Sequence, residues 1–432
     1  MLFSCEKDAS RRLLYHPFGF LTVSFYNTIR YASVVFNRMK PYIRWGINGM
    51  GDIAITDVRI FQGKTGLIKG SLYVSGDRIR AVVSETEENR VHCTHSIRLP
   101  GRYVFPGLID IHTHGNSGFD FSDGSREGLR QIGRYLANHG ITSFLPTSMT
   151  LPYEKLETAF HAAEEYMSGR PSDGARVIGI HMEGPFFSEK KNGAQNKEFL
   201  KQPDAEEFFR LQDSCGHAVR IVDVAPELEG AEDFIRRASA DCRVSVGHSD
   251  ASYEETMRAF EAGASHLTHL FNAMPPFHHR EPGVIGAACD KENVTAELIC
   301  DGLHVHPGAV RMAFRLFPGR ICLVSDALPC CGMPDGNYEL GGQQITLKNR
   351  EVRLPDGKLA GAVSDLYEDM VNAIHFGIPT EDAVLAATVI PAKAAGMETD
   401  IGSLEPGKRA DFIICDENWH LEQVYIDGIR IR

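Results

Sequence analysis

Residues 107–120 read GLIDIHTHGNSGFD and carry two histidines, His112 and His114, one residue apart. Imidazoles at that spacing can hold a divalent transition-metal ion, or they can stand there by accident. With 18 histidines in 432 residues, random placement gives roughly 0.75 such pairs, and a second pair, His304 and His306, does occur. The pair therefore takes its meaning from other groups. Glu183 in HMEGPF, His248 in VGHSDA, His269 in HLTHLF and Asp326 in VSDA each close a short apolar run. Any one of them alone could be a buried polar residue with a local partner. Together they form a set of nitrogens and carboxylate oxygens suited to zinc, iron or a similar ion, and the lack of cysteine sets aside a thiolate structural site. Six donors exceed what one tetrahedral ion can use while keeping a place for water, so the set predicts a catalytic two-metal centre with Glu183 bridging.

The runs that these donors close are YVFPGLIDIH, ITSFLPTS, RVIGIHME, VRIVDVA, CRVSVGH, SHLTHL, VTAELIC and RICLVSD. Helical periodicity separates most of them, clearest in SREGLRQIGRYLANHG, YEKLETAFHAAEEYMSG and ASYEETMRAFEAG, each ending in a glycine predicted to take a left-handed cap. Strands alternating with helices over 103–378 predict a (β/α)8 barrel, whose site sits at the C-terminal ends of the strands. In the first strand Asp110, His112 and His114 share one face by the period of two, which aims both imidazoles at the barrel mouth. Alternating runs with glycine turns at 50–102, and the same texture within 379–432, predict a small β-sandwich-like domain built from both flanks of the barrel.

Composition narrows the function. No run approaches the ~18 apolar residues of a membrane span, and a net charge of −12 opposes a nucleic-acid partner, which demands a basic face. Ten cysteines lie scattered without a Cys-x-x-Cys spacing, which predicts a reduced, cytoplasmic protein. Residues 1–49 carry a net charge of +5, against −17 for the rest. This leader is predicted to lie outside the catalytic core, as an extension with the working protein starting near Met50, or as a targeting segment.

The segments PGLIDIHTHG (106–115), HMEGPF (181–186), VGHSDA (246–251), HLTHLFNAMPPFHHREPGVIG (266–286), DGLHVHPG (301–308), VSDA (324–327), KLAG (358–361) and GSLEPGKRADF (402–412) resemble the N-acetylglucosamine-6-phosphate deacetylase family of the amidohydrolase superfamily. The resemblance implies the barrel with its small β domain, and hydrolysis of a sugar's 2-acetamido group. It implies that Glu183, His248 and His269 hold the family's retained metal and that Asp326 is the catalytic acid and base. Members hold one or two metals per chain, and His112 and His114, replaced in some single-metal members, are intact here, which implies a second occupied position. Sugar and phosphate contacts are implied at Asn272, Ala273, Arg280 and His304, with further contacts around Ala194, Gln195, Leu359, Ala360 and Gly361. Arg280 is implied to reach a neighbouring subunit's site, hence a homodimer. The chain departs from the pattern at Gln195, where relatives commonly have His, at Ala362, where Ser is frequent, and at the Cys330-Cys331 pair. Two competing readings are a cyclic-amide hydrolase, which would need a carboxylated lysine that VRIVDVAPEL lacks, and a non-catalytic barrel scaffold, which would show a broken ligand set.

Overall fold

The structure, a computed structural model, describes residues 52–87, 91–169 and 171–432, so the basic leader lies outside the described residues. Eight parallel strands follow one another around a barrel: Leu108–Thr113, Ile141–Ser148, Ile180–Met182, Val219–Val224, Arg243–Val246, His266–Leu267, Thr295–Ile299 and Ile321–Val324. The circle closes between eighth and first, where the Asp326 N–H donates to His112 O and the His114 N–H to Ala327 O, both at 2.9 Å. Helices cover the outer face and side chains fill the interior, so strand residues are buried on both faces and read as near-continuous apolar runs. Every residue of the first two strands is buried.

The helices start where the sequence offers caps. Ser125 accepts from the Gly128 N–H at the start of Arg126–Asn138, and Ser252 with Glu255 forms a capping box at the start of Tyr253–Ala262. Their ends follow expectation less closely. Gly140 and Gly263 take positive φ (86° and 128°), but Gly169 ends Tyr153–Ser168 at φ −128°, a conformation that needs no glycine.

The accessory β unit is one mixed sheet in the order Ile429–Arg430, Leu421–Ile426, Phe412–Cys415, Tyr103–Pro106, Ile53–Phe61, Leu67–Ser75 and Arg78–Ser84. Its long strand Ile53–Phe61 is irregular between Ile55 and Val58, and Asp57 there has φ 59°. Before the irregularity it pairs with His95–Arg98, and beyond it with Tyr103–Pro106. The run YVFPGLIDIH is therefore two strands rather than one: Tyr103–Pro106 belongs to this sheet and only Leu108–Thr113 to the barrel. The chain changes sheets at Gly107, where a Cβ would stand 2.2 Å from Thr142 Oγ1, so alternation continues through a point at which the partner strands change. At the other flank Thr380–Ala387 and Val389–Ala394 are helices. Ala392 and Ala394 share a buried cluster with Ile109, Ile111 and Val324 of the barrel, and the alternating texture near the end of the chain forms strand from Phe412. Arg176 ties barrel to sheet, pairing with Asp411 (2.7 Å) and Asp427 (2.6 Å).

Past the eighth strand the chain forms a three-stranded antiparallel meander, Gly336–Leu340, Gln343–Lys348 and Glu351–Arg353. Gln343 Nε2 donates to Ala194 O at 2.7 Å, which fastens the meander over the barrel mouth.

Candidate metal centre

The six donors meet at the C-terminal end of the barrel. His248, His269 and Asp326 each lie two residues beyond their strand, at φ 47°, 26° and 48°. Left-handed backbone costs a non-glycine residue of order 1–3 kcal/mol and persists only where surrounding bonds impose it. At Asp326 the imposing bond is its own N–H to His112 O, and at His269 the N–H to Glu297 Oε2 at 3.1 Å. These turns swing each side chain off its strand and over the axis.

All six groups are buried, Asp326 the least at 8% exposed. Glu183 Oε1 lies 3.0 Å from His248 Nε2 and 3.2 Å from His269 Nε2, while its Oε2 faces His114 Nε2 at 3.3 Å. Asp326 Oδ1 lies 3.2 Å from His114 Nε2 and 3.5 Å from His112 Nε2. Two triads result, Glu183 with His248 and His269, and His112 with His114 and Asp326, each with donor atoms close enough to share one ion. The carboxylate of Glu183 stands between them, the place of a bridging ligand.

The tautomers support a metal. His112 Nδ1 faces Glu297 Oε2 at 2.8 Å, His114 Nδ1 faces Thr147 O at 3.1 Å, and His248 Nδ1 faces Lys191 O at 2.9 Å. Each acceptor claims the Nδ1 proton and leaves the Nε2 lone pair pointing into the site, the arrangement by which outer groups orient metal-bound imidazoles. His112 Nε2 is buried with no hydrogen-bond partner, and the Nε2 atoms of His248 and His269 stand 3.1 Å apart. Buried imidazole nitrogens and carboxylate oxygens converging at these distances are what a cation would satisfy. The residues present fit a divalent ion in each triad.

A third group of buried donors, His112 with His181 and Glu297, also clusters, but it is a hydrogen-bond network. His181 Nδ1 faces Ile111 O and Nε2 faces Asp223 Oδ1, both at 2.9 Å. With acceptors on both sides His181 donates twice and is an imidazolium. Burial opposes its charge, yet Asp223 and then Glu297 push its pKa up to about 10. For Glu183, burial would raise the pKa, but the surrounding imidazoles, His112 first and then His248 and His269, hold it well below the carboxylate range. For Asp326, burial is likewise outweighed by the neighbouring imidazoles, His114 first and then His112. Both acids are carboxylates, and Asp326 can accept a proton.

Above the donors lies a cavity of about 140 Å³. Ala194, Gln195, Asn272, Ala273, His304, Leu359, Ala360 and Gly361 line it, together with Met149, Leu328 and Leu340. Gln195 turns toward the donors: its Oε1 accepts from the Thr150 N–H at 2.7 Å and its Nε2 donates to Glu183 Oε2 at 2.5 Å. His304 is held by Asp301 Oδ2 at Nδ1 and by Ala360 O at Nε2, both 2.7 Å. Arg280 is not brought to this cavity: it is exposed, within the exposed stretch 276–281. Beneath the donors lies a layer of Asp110, His181, Asp223, His266 and Glu297, all 0% exposed; of these, sequence reasoning placed only Asp110, on the face of His112 and His114. The signal was present, since a charged or polar residue inside an apolar strand must have a partner. Such residues stand in GIHMEG (His181), RIVDVA (Asp223), SHLTHL (His266) and TAELI (Glu297).

Residues 103–429 match the Amidohydrolase family. N-acetylglucosamine-6-phosphate deacetylase of Bacillus subtilis is 37% identical over 373 residues, 85% of this chain and 93% of its own. N-acetylgalactosamine-6-phosphate deacetylase of Escherichia coli O157:H7 is 36% identical over 326 residues, 75% of this chain and 86% of its own. Among solved structures, a mutant N-acetyl-D-glucosamine-6-phosphate deacetylase of Mycobacterium smegmatis, in complex with N-acetyl-D-glucosamine 6-phosphate, superposes with a TM-score of 0.81 at 30% identity, covering 89% of this chain and 100% of its own. The barrel, its two triads and these matches make the chain a member of the amidohydrolase family, in the branch of the N-acetylglucosamine-6-phosphate deacetylases.

Proposed function

We propose that the chain hydrolyses the 2-acetamido group of N-acetylglucosamine 6-phosphate to glucosamine 6-phosphate and acetate. The observation that carries this reading is the placing of Asp326 at the floor of a cavity above two imidazole–carboxylate triads, in a chain whose relatives are named for that reaction. Glu183, His248 and His269 would hold one divalent ion, and His112, His114 and Asp326 a second, zinc or iron in either case. Such an ion supplies Lewis acidity, acidifying water and polarising a carbonyl oxygen.

Asp326 takes a proton from water as the new C–O bond forms at the acetyl carbon. It then gives that proton to the amide nitrogen as the C–N bond breaks, so the sugar leaves as an amine and not as an amide anion. His304 donates a hydrogen bond to the carbonyl oxygen once substrate displaces Ala360 O, stabilising developing negative charge. Gln195 keeps its amide on Glu183, so the contact it makes from the cavity wall is with the metal ligand and not with the sugar. Arg280, outside this chain's own cavity, suits a phosphate reader lent to a partner's site in a homodimer, its guanidinium offering a bidentate fork. A cytoplasmic enzyme agrees with cysteines that are free among the described residues.

The galactosamine-named relative favours a second reading of substrate, the C4 epimer. Acetate release measured on N-acetylglucosamine 6-phosphate, its galactosamine and mannosamine epimers and the unphosphorylated sugar decides. Turnover fastest on the first supports the proposal, turnover fastest on the galactosamine epimer transfers it to that sugar, and turnover of none refutes it.

A further inference from the structure

The seventh barrel strand, Thr295–Ile299, supplies no donor to either triad, yet it carries a carboxylate that is 0% exposed and aimed at them. Three hydrogen bonds converge on Glu297. Oε2 faces His112 Nδ1 at 2.8 Å and accepts from the His269 N–H at 3.1 Å, while Oε1 faces His266 Nε2 at 3.2 Å. A charge this deep costs several kcal/mol unless fully paired, and here two of the three bonds fall on residues of the triads. His112 belongs to one triad and His269 to the other.

We infer that Glu297 is a positioning residue that sets the tautomer of His112 and the backbone turn of His269, and so makes the first-strand metal position depend on the seventh strand. By accepting a hydrogen bond from the Nδ1–H of His112, the carboxylate keeps the lone pair on Nε2, the buried nitrogen without a partner that faces Asp326 and Glu183. Without an acceptor at Nδ1 the ring can move its proton to Nε2, where Asp326 Oδ1 is 3.5 Å away, and the donor is lost. The hold on His269 is different in kind, since the bond is to its N–H and leaves its ring nitrogens untouched. The first-strand position therefore depends on Glu297 more than the Glu183–His248–His269 position does. This inference rests on the reading of both triads as metal positions.

Two substitutions separate shape from hydrogen bonding. Glu297→Met keeps most of the volume and removes the acceptor. Glu297→Gln keeps an acceptor: its oxygen can serve His112 and His269 while its amide turns to His266, whose proton then moves to Nδ1 beside Thr295 Oγ1 at 2.6 Å. Chelator-stripped protein is titrated with Co²⁺ and followed by visible absorption and by metal content. The wild type should take up two equivalents. Glu297→Met should weaken one of them by about 10–100-fold, the range seen when an outer partner of a metal-bound histidine is removed. Its other equivalent should stay within a few-fold, and Glu297→Gln should recover most of the loss.

Equal loss in both variants, or loss confined to the Glu183–His248–His269 position, overturns the inference. So does a wild type that binds one equivalent, because there is then no separate first-strand position to weaken, whereas no uptake at all overturns the metal reading itself. If Glu297→Met does not fold, ¹⁵N NMR of zinc-loaded wild type, with His112 assigned from the His112→Gln spectrum, must show the proton on Nδ1. A proton on Nε2 overturns the inference.

Discussion

Asp326→Asn tests the proton transfer directly, and the structure says what it leaves untouched. Asn occupies the left-handed region as readily as Asp, so φ 48° and the N–H bond to His112 O survive the change. Glu183, His248 and His269 contact one another and not Asp326, so their ion should remain. The amide loses the basic oxygen and the negative charge 3.2 Å from His114 Nε2 and 3.5 Å from His112 Nε2, which weakens the first-strand position as well. Lost acid–base catalysis typically costs about 10²–10⁴ in rate, or about 2.7–5.4 kcal/mol in the barrier. Loss of a metal position would add to that. Acetate release at saturating substrate should therefore fall at least a hundredfold, with KM little changed and metal content at one equivalent or more. A variant that keeps more than about a tenth of wild-type kcat with full metal content places the proton shuttle elsewhere and refutes the mechanism.

Replacing His112 by Gln and His114 by Asn should lower metal content from two equivalents toward one while leaving some activity; unchanged stoichiometry rules this pair out as ligands. Arg280→Met should raise KM for the phosphorylated sugar tenfold or more with little change on the unphosphorylated one, and equal losses on both would show that this residue does not read phosphate. Arg176→Met strands Asp411, whose side chain is 4% exposed, and removes one of the two arginines on Asp427. Breaking a buried pair by removing one partner costs about 3–5 kcal/mol, read as a lower urea midpoint with kcat of the folded enzyme unchanged; a loss under about 1 kcal/mol would show that barrel and sheet are not held together there.

The six donors were legible in the sequence because their signal is local. Each sits within two residues of the end of an apolar run, and alternation along GLIDIHTH alone puts His112 and His114 on one face. Strand–helix alternation and the capping residues Ser125 and Ser252 are readable for the same reason. The tertiary structure decided whatever depends on partners far apart in the chain. That YVFPGLIDIH changes sheets at Gly107 follows from its neighbours, Phe412–Cys415 on one side and Ile141–Ser148 on the other, and alternation is blind to a change of partner. That Gln195 turns to Glu183, that Arg280 stays outside the cavity, and that Glu297 holds His112 from 185 residues away are set by which strand ends the closed barrel brings together. Sequence period tells a side chain which face to take; only the closed circle of strands tells it what it will meet there.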